Sequence, residues 1–263
     1  MVVLGAERAP SRTDVFRGRV ALVTGGGTGL GRAISLRLAS EGAAVAVNYA
    51  SSRAAAEETA ALIEADNGEA VAVQADVSDP DAVTRMLGEV QRALGRVDVL
   101  VANAGITEYV PFADLESLSA GLWERILRVN VIGAFLCAQA VAPGMQRRDF
   151  GRIVVVSSNA AFIASGSSIP YVVSKAALFS LTQCLARALE PAVQVNAVAP
   201  GWMLTPWVDK FLPAEVGEQI RSGAVPVVDP EDVARLVAHL ASNRSITGQV
   251  VAVDRGEMWL IRN

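Results

Sequence analysis

Short runs of Val, Ile, Leu and Ala recur along the chain, and each is followed by a longer stretch whose apolar residues fall at helical spacing. The runs over 20–24, 43–49, 70–75, 97–102, 152–156, 193–199 and 249–254 are apolar at most consecutive positions rather than at alternate ones. That pattern predicts strands covered on both faces, as in a parallel sheet. Between them the spacing predicts helices over 29–40, 54–65, from about 79, and over 122–142, 171–188 and 230–240. Asp79-Pro80 supports one of these starts, since Asp caps free backbone N–H groups and Pro suits the first helical position. Strand–helix alternation with right-handed crossovers gives an α/β fold, a doubly wound parallel sheet of about seven strands with helices on both faces. No linker or compositional shift interrupts it, which predicts a single domain over 19–263 behind a loosely held N-terminal extension over 1–18.

Composition narrows the function classes. Hydrophobic residues make up 52% and charged residues 19% of the 263 positions, which excludes a disordered chain and allows a substantial core. The formal net charge is -4 with acids and bases interspersed, so no basic stripe is available for nucleic acid. The longest charge-free run, 153–174, has the length of a membrane span but is broken by Ser157, Ser158, Asn159, Gly166 and Pro170. With no secretory-type apolar segment near the N-terminus, the chain reads as cytoplasmic, without membrane or nucleic-acid partners. Cys137 and Cys184 lie in apolar helical stretches and are expected as buried free thiols; the single His239 is expected as a structural or surface residue. These residues supply neither a metal site nor a serine–histidine triad.

Candidate chemistry begins directly after the first strand, at Thr24-Gly-Gly-Gly-Thr-Gly-Leu-Gly31. In a strand-to-helix turn Gly25 can reverse the chain sharply, Gly29 can bring backbone amides to a pyrophosphate, and Gly31 can let the helix pack close to the sheet. The order strand, glycine turn, helix makes a dinucleotide the expected ligand, with Thr28 and Leu30 also at its cradle. A second constellation is Tyr171-Val-Val-Ser-Lys175, which puts a phenol and an ammonium at i and i+4 on one helix face. A nearby ammonium favours the phenolate, so Lys175 is expected to lower a tyrosine pKa that is ordinarily about 10. The phenol then becomes usable as acid and base. The same spacing suits a plain surface helix, and the neighbours decide between the two. Ser158 ends the fifth strand thirteen residues before Tyr171, and Asn130 stands inside a predicted helix, where a buried amide needs partners.

Thr-Gly-x-x-x-Gly-x-Gly and Tyr-x-x-x-Lys, with Ser158 and Asn130 at matching positions, resemble the short-chain dehydrogenase/reductase family, and within it the 3-oxoacyl-ACP reductases. The resemblance runs from about Arg19 to Gly256. It implies a Rossmann-like fold and hydride transfer between a nicotinamide cofactor and a carbonyl or alcohol. It implies Tyr171 as proton donor or acceptor, Lys175 as its partner and as a donor to the nicotinamide ribose, and Ser158 as the group polarising the substrate oxygen. Ser157 is the alternative to Ser158. Asn130 matches the asparagine whose main-chain carbonyl holds a water leading to the lysine. Asp76-Val77 matches the pair at the adenine ring, and Asn103-Ala104-Gly105 the segment that braces the sheet and passes the adenine ribose. Pro200-Gly201 and Thr205 match the segment at the nicotinamide carboxamide. A homotetramer or homodimer, built on two-fold contacts of the helices over 122–142 and 171–188, is also implied.

Tyr49 occupies the position after the second strand where NAD-preferring members carry an acid for the ribose 2′-hydroxyl. No carboxylate is there to repel a 2′-phosphate, and Ser51, Ser52 and Arg53 follow, so NADP(H) is favoured. NAD(H) stays possible, because Thr28 replaces an arginine common in NADPH users. Arg53 equally suits a solvated helix start. Shortenings at 188–195 and 241–246, and Arg255 at a usual glycine position, depart from the family pattern away from the chemistry. Substrate selection is expected from a lid over 202–225, with Trp202, Met203, Leu204, Trp207, Phe211 and Leu212 on its apolar face, aided by 161–164 and 106–110. Core packing explains that apolar face equally well. The reading is an NADPH-dependent reductase that converts a ketone on a moderately hydrophobic small molecule to a secondary alcohol. Its competitors are an NAD-dependent alcohol, sugar or steroid dehydrogenase, and a nucleotide-sensing binding protein without turnover.

Overall fold

In the computed structural model, which describes residues 14–259, the apolar runs become strands. They are β1 (Val20–Val23), β2 (Ala44–Tyr49), β3 (Ala70–Gln74), β4 (Val97–Ala102), β5 (Gly151–Val156), β6 (Val193–Pro200) and β7 (Val250–Val253). The helices are α1 (Gly29–Ser40), α2 (Arg53–Ala65), α3 (Pro80–Ala93), α4 (Ala120–Leu127), α5 (Gly133–Arg147), α6 (Ala160–Ile163), α7 (Ile169–Leu189), α8 (Pro206–Phe211), α9 (Ala214–Arg221) and α10 (Pro230–Ser242). Every strand pairing is parallel, in the order β3-β2-β1-β4-β5-β6-β7. Connections run outward in both directions from β1 and β4, so a crevice opens over the carboxyl ends of those two strands.

β1, β4 and β5 are buried at every position, because helices cover both faces of the sheet. Leu22, Leu100, Ile153 and Val195 face Met86 of α3, Met145 of α5 and Leu178 of α7. Val23, Val99, Val154 and Val198 face Ile34 of α1, Ile63 of α2 and Val237 of α10. The expected cap on α3 is present, with Asp79 accepting from Asp81 N at 2.9 Å. By length and composition alone, residues Ala120–Arg147 and α7 could cross a membrane, with mean hydropathies of 1.6 and 1.2. Here each lays an apolar face on the sheet, through Ala138, Val141 and Leu178 among others.

Two expectations need correction. The single helix expected over 122–142 is α4 and α5 joined by a π-helical turn, Arg128–Ile132. Asn130 pins that turn: its Oδ1 accepts from Ile106 N at 2.8 Å, and its Nδ2 donates to Ile106 O at 3.0 Å and to Ser174 Oγ at 2.9 Å. Gly133 then packs so closely on Val77 that an added Cβ would lie 2.7 Å from Val77 Cγ2. The extension expected over 1–18 lies outside the described residues as far as position 13. From Asp14 the chain is held, since Phe16 is only 3% exposed and its N–H donates to Glu41 O at 2.9 Å.

Candidate active site

The carboxyl ends of the strands open into one cleft of about 580 Å³. At one end stands the glycine turn, which is latched to both neighbouring strands. Thr24 Oγ1 accepts the N–H groups of Asn103 and Ala104 at 2.9 and 3.0 Å. Asn103 Nδ2 donates to the carbonyls of Thr24 and Gly25 at 2.9 and 3.2 Å, and Asn48 Oδ1 accepts from Gly25 N at 3.3 Å. Gly25 and Gly29 take left-handed φ values of 62° and 50°, which a side chain would strain. A Cβ on Gly31 would lie 2.0 Å from Gly25 O. This packing presents the start of α1 to the cleft with no side chain capping its N–H groups. Such a helix end favours an anion.

Gly25, Thr28, Gly29, Leu30, Gly31, Tyr49, Ser51, Ser52, Asp76, Val77, Asn103, Ala104, Gly105, Pro200, Gly201 and Thr205 all line this cleft. Asp76 is fixed by accepting Ser78 N at 2.9 Å and Ser78 Oγ at 2.7 Å. Ser52 sits at the start of α2, which also lacks a side-chain cap. Arg53 does not line the cleft; its guanidinium pairs with Glu57 at 3.2 Å, the solvated placement that the sequence also allowed.

At the other end are Ser158, Tyr171 and Lys175. Tyr171 and Lys175 occupy the first turns of α7, with the Lys175 Nζ 5.7 Å from the phenol ring centroid and donating to Val156 O at 2.9 Å. Burial pushes Lys175 down to about 8. Tyr171 keeps part of its surface open to the cleft, but the groups packed around its hydroxyl push it up to about 12, with Ser158 acting in the lowering direction. The expected lowering of Tyr171 is therefore reversed in this structure: desolvation of the phenolate raises it, and the group acting in the lowering direction is Ser158 rather than Lys175. A phenol held protonated suits proton donation. Ser157 donates its hydroxyl to Lys175 O at 2.7 Å, whereas Ser158 Oγ accepts from Ala160 N at 3.2 Å and lines the cleft.

Asn130 lies behind the wall rather than on it. A Cβ on Gly105 would fall 3.3 Å from Asn130 Oδ1 and 3.6 Å from Lys175 Nζ. Its amide joins the end of β4 to α7 through Ser174, whose hydroxyl donates to Tyr171 O at 2.6 Å. The apolar face expected over 202–225 divides its labour. Val208, Leu212 and Ile220 pack together with Trp202, Val216 and Val225, while Trp202, Met203, Trp207, Phe211 and Leu212 also line the cleft. Leu204 is exposed outside it. Trp207 meets Phe211 in a tilted ring contact at 4.5 Å and stands 6.2 Å from Tyr171.

Asn48, Asn159 and Glu257 were not singled out from the sequence. Asn159 and Glu257 meet in the cleft wall at 2.7 Å, although they are far apart in the chain. A buried asparagine at a strand end is the one signal that could have flagged Asn48 and Asn159. Of the cysteines, Cys137 is buried and pushed up to about 12, but Cys184 is exposed, because its position on α7 faces away from the sheet. Arg255 adopts a left-handed φ of 55°, a conformation that favours glycine, and donates to Val227 O at 3.2 Å.

Residues 19–215 match the family model described as short chain dehydrogenase. A Streptomyces violaceoruber protein named for ketoacyl reduction in the granaticin polyketide synthase is 42% identical, over 93% of this chain and 98% of its own. The 3-oxoacyl-[acyl-carrier-protein] reductase FabG of Staphylococcus aureus is 38% identical, over 90% and 96% respectively. A crystal structure of a short chain dehydrogenase from Burkholderia cenocepacia in complex with NADP superposes with a TM-score of 0.80 at 38% identity, covering 91% of this chain and 97% of that one.

Proposed function

Because this chain belongs to the short-chain dehydrogenase/reductase family, as an NAD(P)-dependent carbonyl reductase, we propose that it reduces a moderately hydrophobic ketone with NADPH through Ser158, Tyr171 and Lys175. The observation that carries the reading is the meeting of those three side chains in one cleft with the glycine turn. The donor set fits a dinucleotide: uncapped helix starts at α1 and α2 for its phosphates, and Asp76 for its adenine end. When bound, that cofactor supplies the hydride. Ser158 then hydrogen-bonds the substrate carbonyl oxygen, and Tyr171 gives it a proton as negative charge develops there. Lys175, against the Tyr171 ring, stabilises the phenolate that remains. Asn130 and Ser174 position the start of α7.

The preference for NADPH rests on Ser51, Ser52 and the start of α2 at the cleft edge, with no carboxylate at Tyr49 to repel a 2′-phosphate. The NADP complex of the Burkholderia relative supports it. Trp202, Trp207 and Phe211 favour an apolar ketone. The two-fold assembly expected of the helices is supported by the exposed apolar side chains Ile132, Phe135 and Val173, and light scattering checks it. Titration with both cofactors, followed by turnover on a ketone panel, tests the reading. NADPH should bind more tightly, and Tyr171→Phe should keep its NADPH affinity while losing about a hundredfold or more in kcat. NADH binding at least about tenfold tighter sinks the cofactor assignment. Wild-type turnover by the variant sinks the role of Tyr171.

A further inference from the structure

The amino-terminal ends of the strands, opposite the cleft, gather positive charge in a chain whose net charge is -4. Arg19 precedes β1, Arg148 follows α5, Arg152 is the second residue of β5, and Arg244 lies between α10 and β7. Phe150 joins two of them, with the guanidinium carbons of Arg19 and Arg152 at 3.8 and 4.5 Å from its ring centroid. Arg19 and Arg148 converge on one carboxylate oxygen, Asp98 Oδ1, at 3.5 and 3.4 Å, while Asp98 Oδ2 accepts from Val20 N at 3.2 Å. Asp98 therefore has both oxygens engaged and offsets only one positive charge. Among the described residues Arg152 and Arg244 form no ion pair.

Arg152 is 4% exposed, and its Nη1 donates to the neighbouring carbonyl, Gly151 O, at 2.7 Å. Its Nε is buried and finds no acceptor, and the same holds for the Nε of Arg148. Burial, with the guanidiniums of Arg244 and Arg19 close by, holds Arg152 below its ordinary value. A buried guanidinium normally has an anionic partner, because an uncompensated charge is costly to remove from water. The face of Phe150 attracts a cation but carries no net charge. A phosphate group from solution supplies that counter-charge, and its oxygens match the fork of guanidinium N–H donors. Arg19, Arg148 and Arg244 keep part of their surface in solvent, so such a ligand can reach them. We propose that this end of the sheet is a phosphate-binding site, where Arg19, Arg148 and Arg244 hold a phosphate or diphosphate group beside the buried Arg152. The site shares no residue with the cleft and does not depend on the reaction carried out there.

Calorimetric titration of the full-length protein with pyrophosphate and with ADP, in low-salt buffer, tests it. The nicotinamide cofactor is kept at saturation, so that the glycine turn is already filled. About one equivalent of at least one ligand should bind, and about tenfold or more weakly in Arg152→Met and in Arg244→Gln. Arg244 is exposed and forms no ion pair among the described residues, so Arg244→Gln decides the matter if Arg152→Met loses its fold. Binding of either ligand in this way supports the site, and the tighter one names the source, a free diphosphate or a nucleotide. Wild-type affinity in either folded variant overturns the proposal, as does no binding by the wild type at roughly 10 mM of both ligands. Binding that appears only after the cofactor is removed also overturns it, because the ligand then occupies the glycine turn.

Discussion

Replacing Lys175 by methionine should stabilise the cofactor-free protein at neutral pH while abolishing turnover. Lys175 is 4% exposed, and burial holds its ammonium at about 8 against 10.5 for a free lysine. At about 1.4 kcal/mol per pH unit, that drop corresponds to roughly 3 kcal/mol against the charged, folded form. Methionine keeps an unbranched apolar side chain but leaves Val156 O without its partner at 2.9 Å, a loss of about 1 kcal/mol. The net gain is roughly 2 kcal/mol, or about 5 °C in Tm for a chain of this size. Between pH 8 and 10.5 the unfolded chain binds a proton at Lys175 that the folded protein does not, so wild-type stability rises with pH through that window. The gap between variant and wild type should therefore close as pH approaches 10.5. Thermal unfolding of both proteins at neutral pH and near pH 10.5, followed by circular dichroism, measures it. A variant that melts below wild type at pH 7, or a gap independent of pH, refutes the reasoning.

Gly31→Ala should weaken NADPH binding by about tenfold or more, because its Cβ would stand 2.0 Å from Gly25 O and the turn must move to admit it. Calorimetric titration checks this, and unchanged affinity would count against the packing described. Asn130→Ala strips both backbone groups of Ile106 and the Ser174 hydroxyl of a partner, so Tm should fall by an amount equivalent to roughly 3 kcal/mol. A loss under about 1 kcal/mol would show that water replaces the amide. A thiol reagent should titrate Cys184 in the native protein and reach Cys137 only after denaturation, and fast reaction of both would contradict the burial of Cys137.

Features that repeat or act locally were legible in the chain itself. The all-apolar strands announced a sheet covered on both faces, and Gly25, Gly29 and Gly31 announced a turn whose glycines have distinct steric tasks. Tyr171 and Lys175 could be placed on one helix face because four residues separate them along one turn of helix. What escaped depends on distant packing. The apolar spacing over 122–142 is compatible with one continuous helix, and only the partners of Asn130 on Ile106 and Ser174 show where it widens. The direction of the Tyr171 shift follows from how much water the fold removes, which spacing does not encode. Glu257 reaches Asn159 because β7 ends beside β6, a fact of sheet order rather than of any local motif.

The widened turn at Arg128–Ile132 also bears on how this chain tolerates changes in length. A π-helical turn takes up one residue more than an α-helical turn over the same rise. Deleting Asn130 from it leaves an ordinary helix, with Leu122 and Ile126 still toward Val110 and Cys137 and Val141 still toward the sheet. An insertion or deletion inside α5 instead rotates everything beyond it by about 100° per residue and exposes that buried face. The shortened chain therefore keeps its architecture but loses the amide that ties β4 to the start of α7.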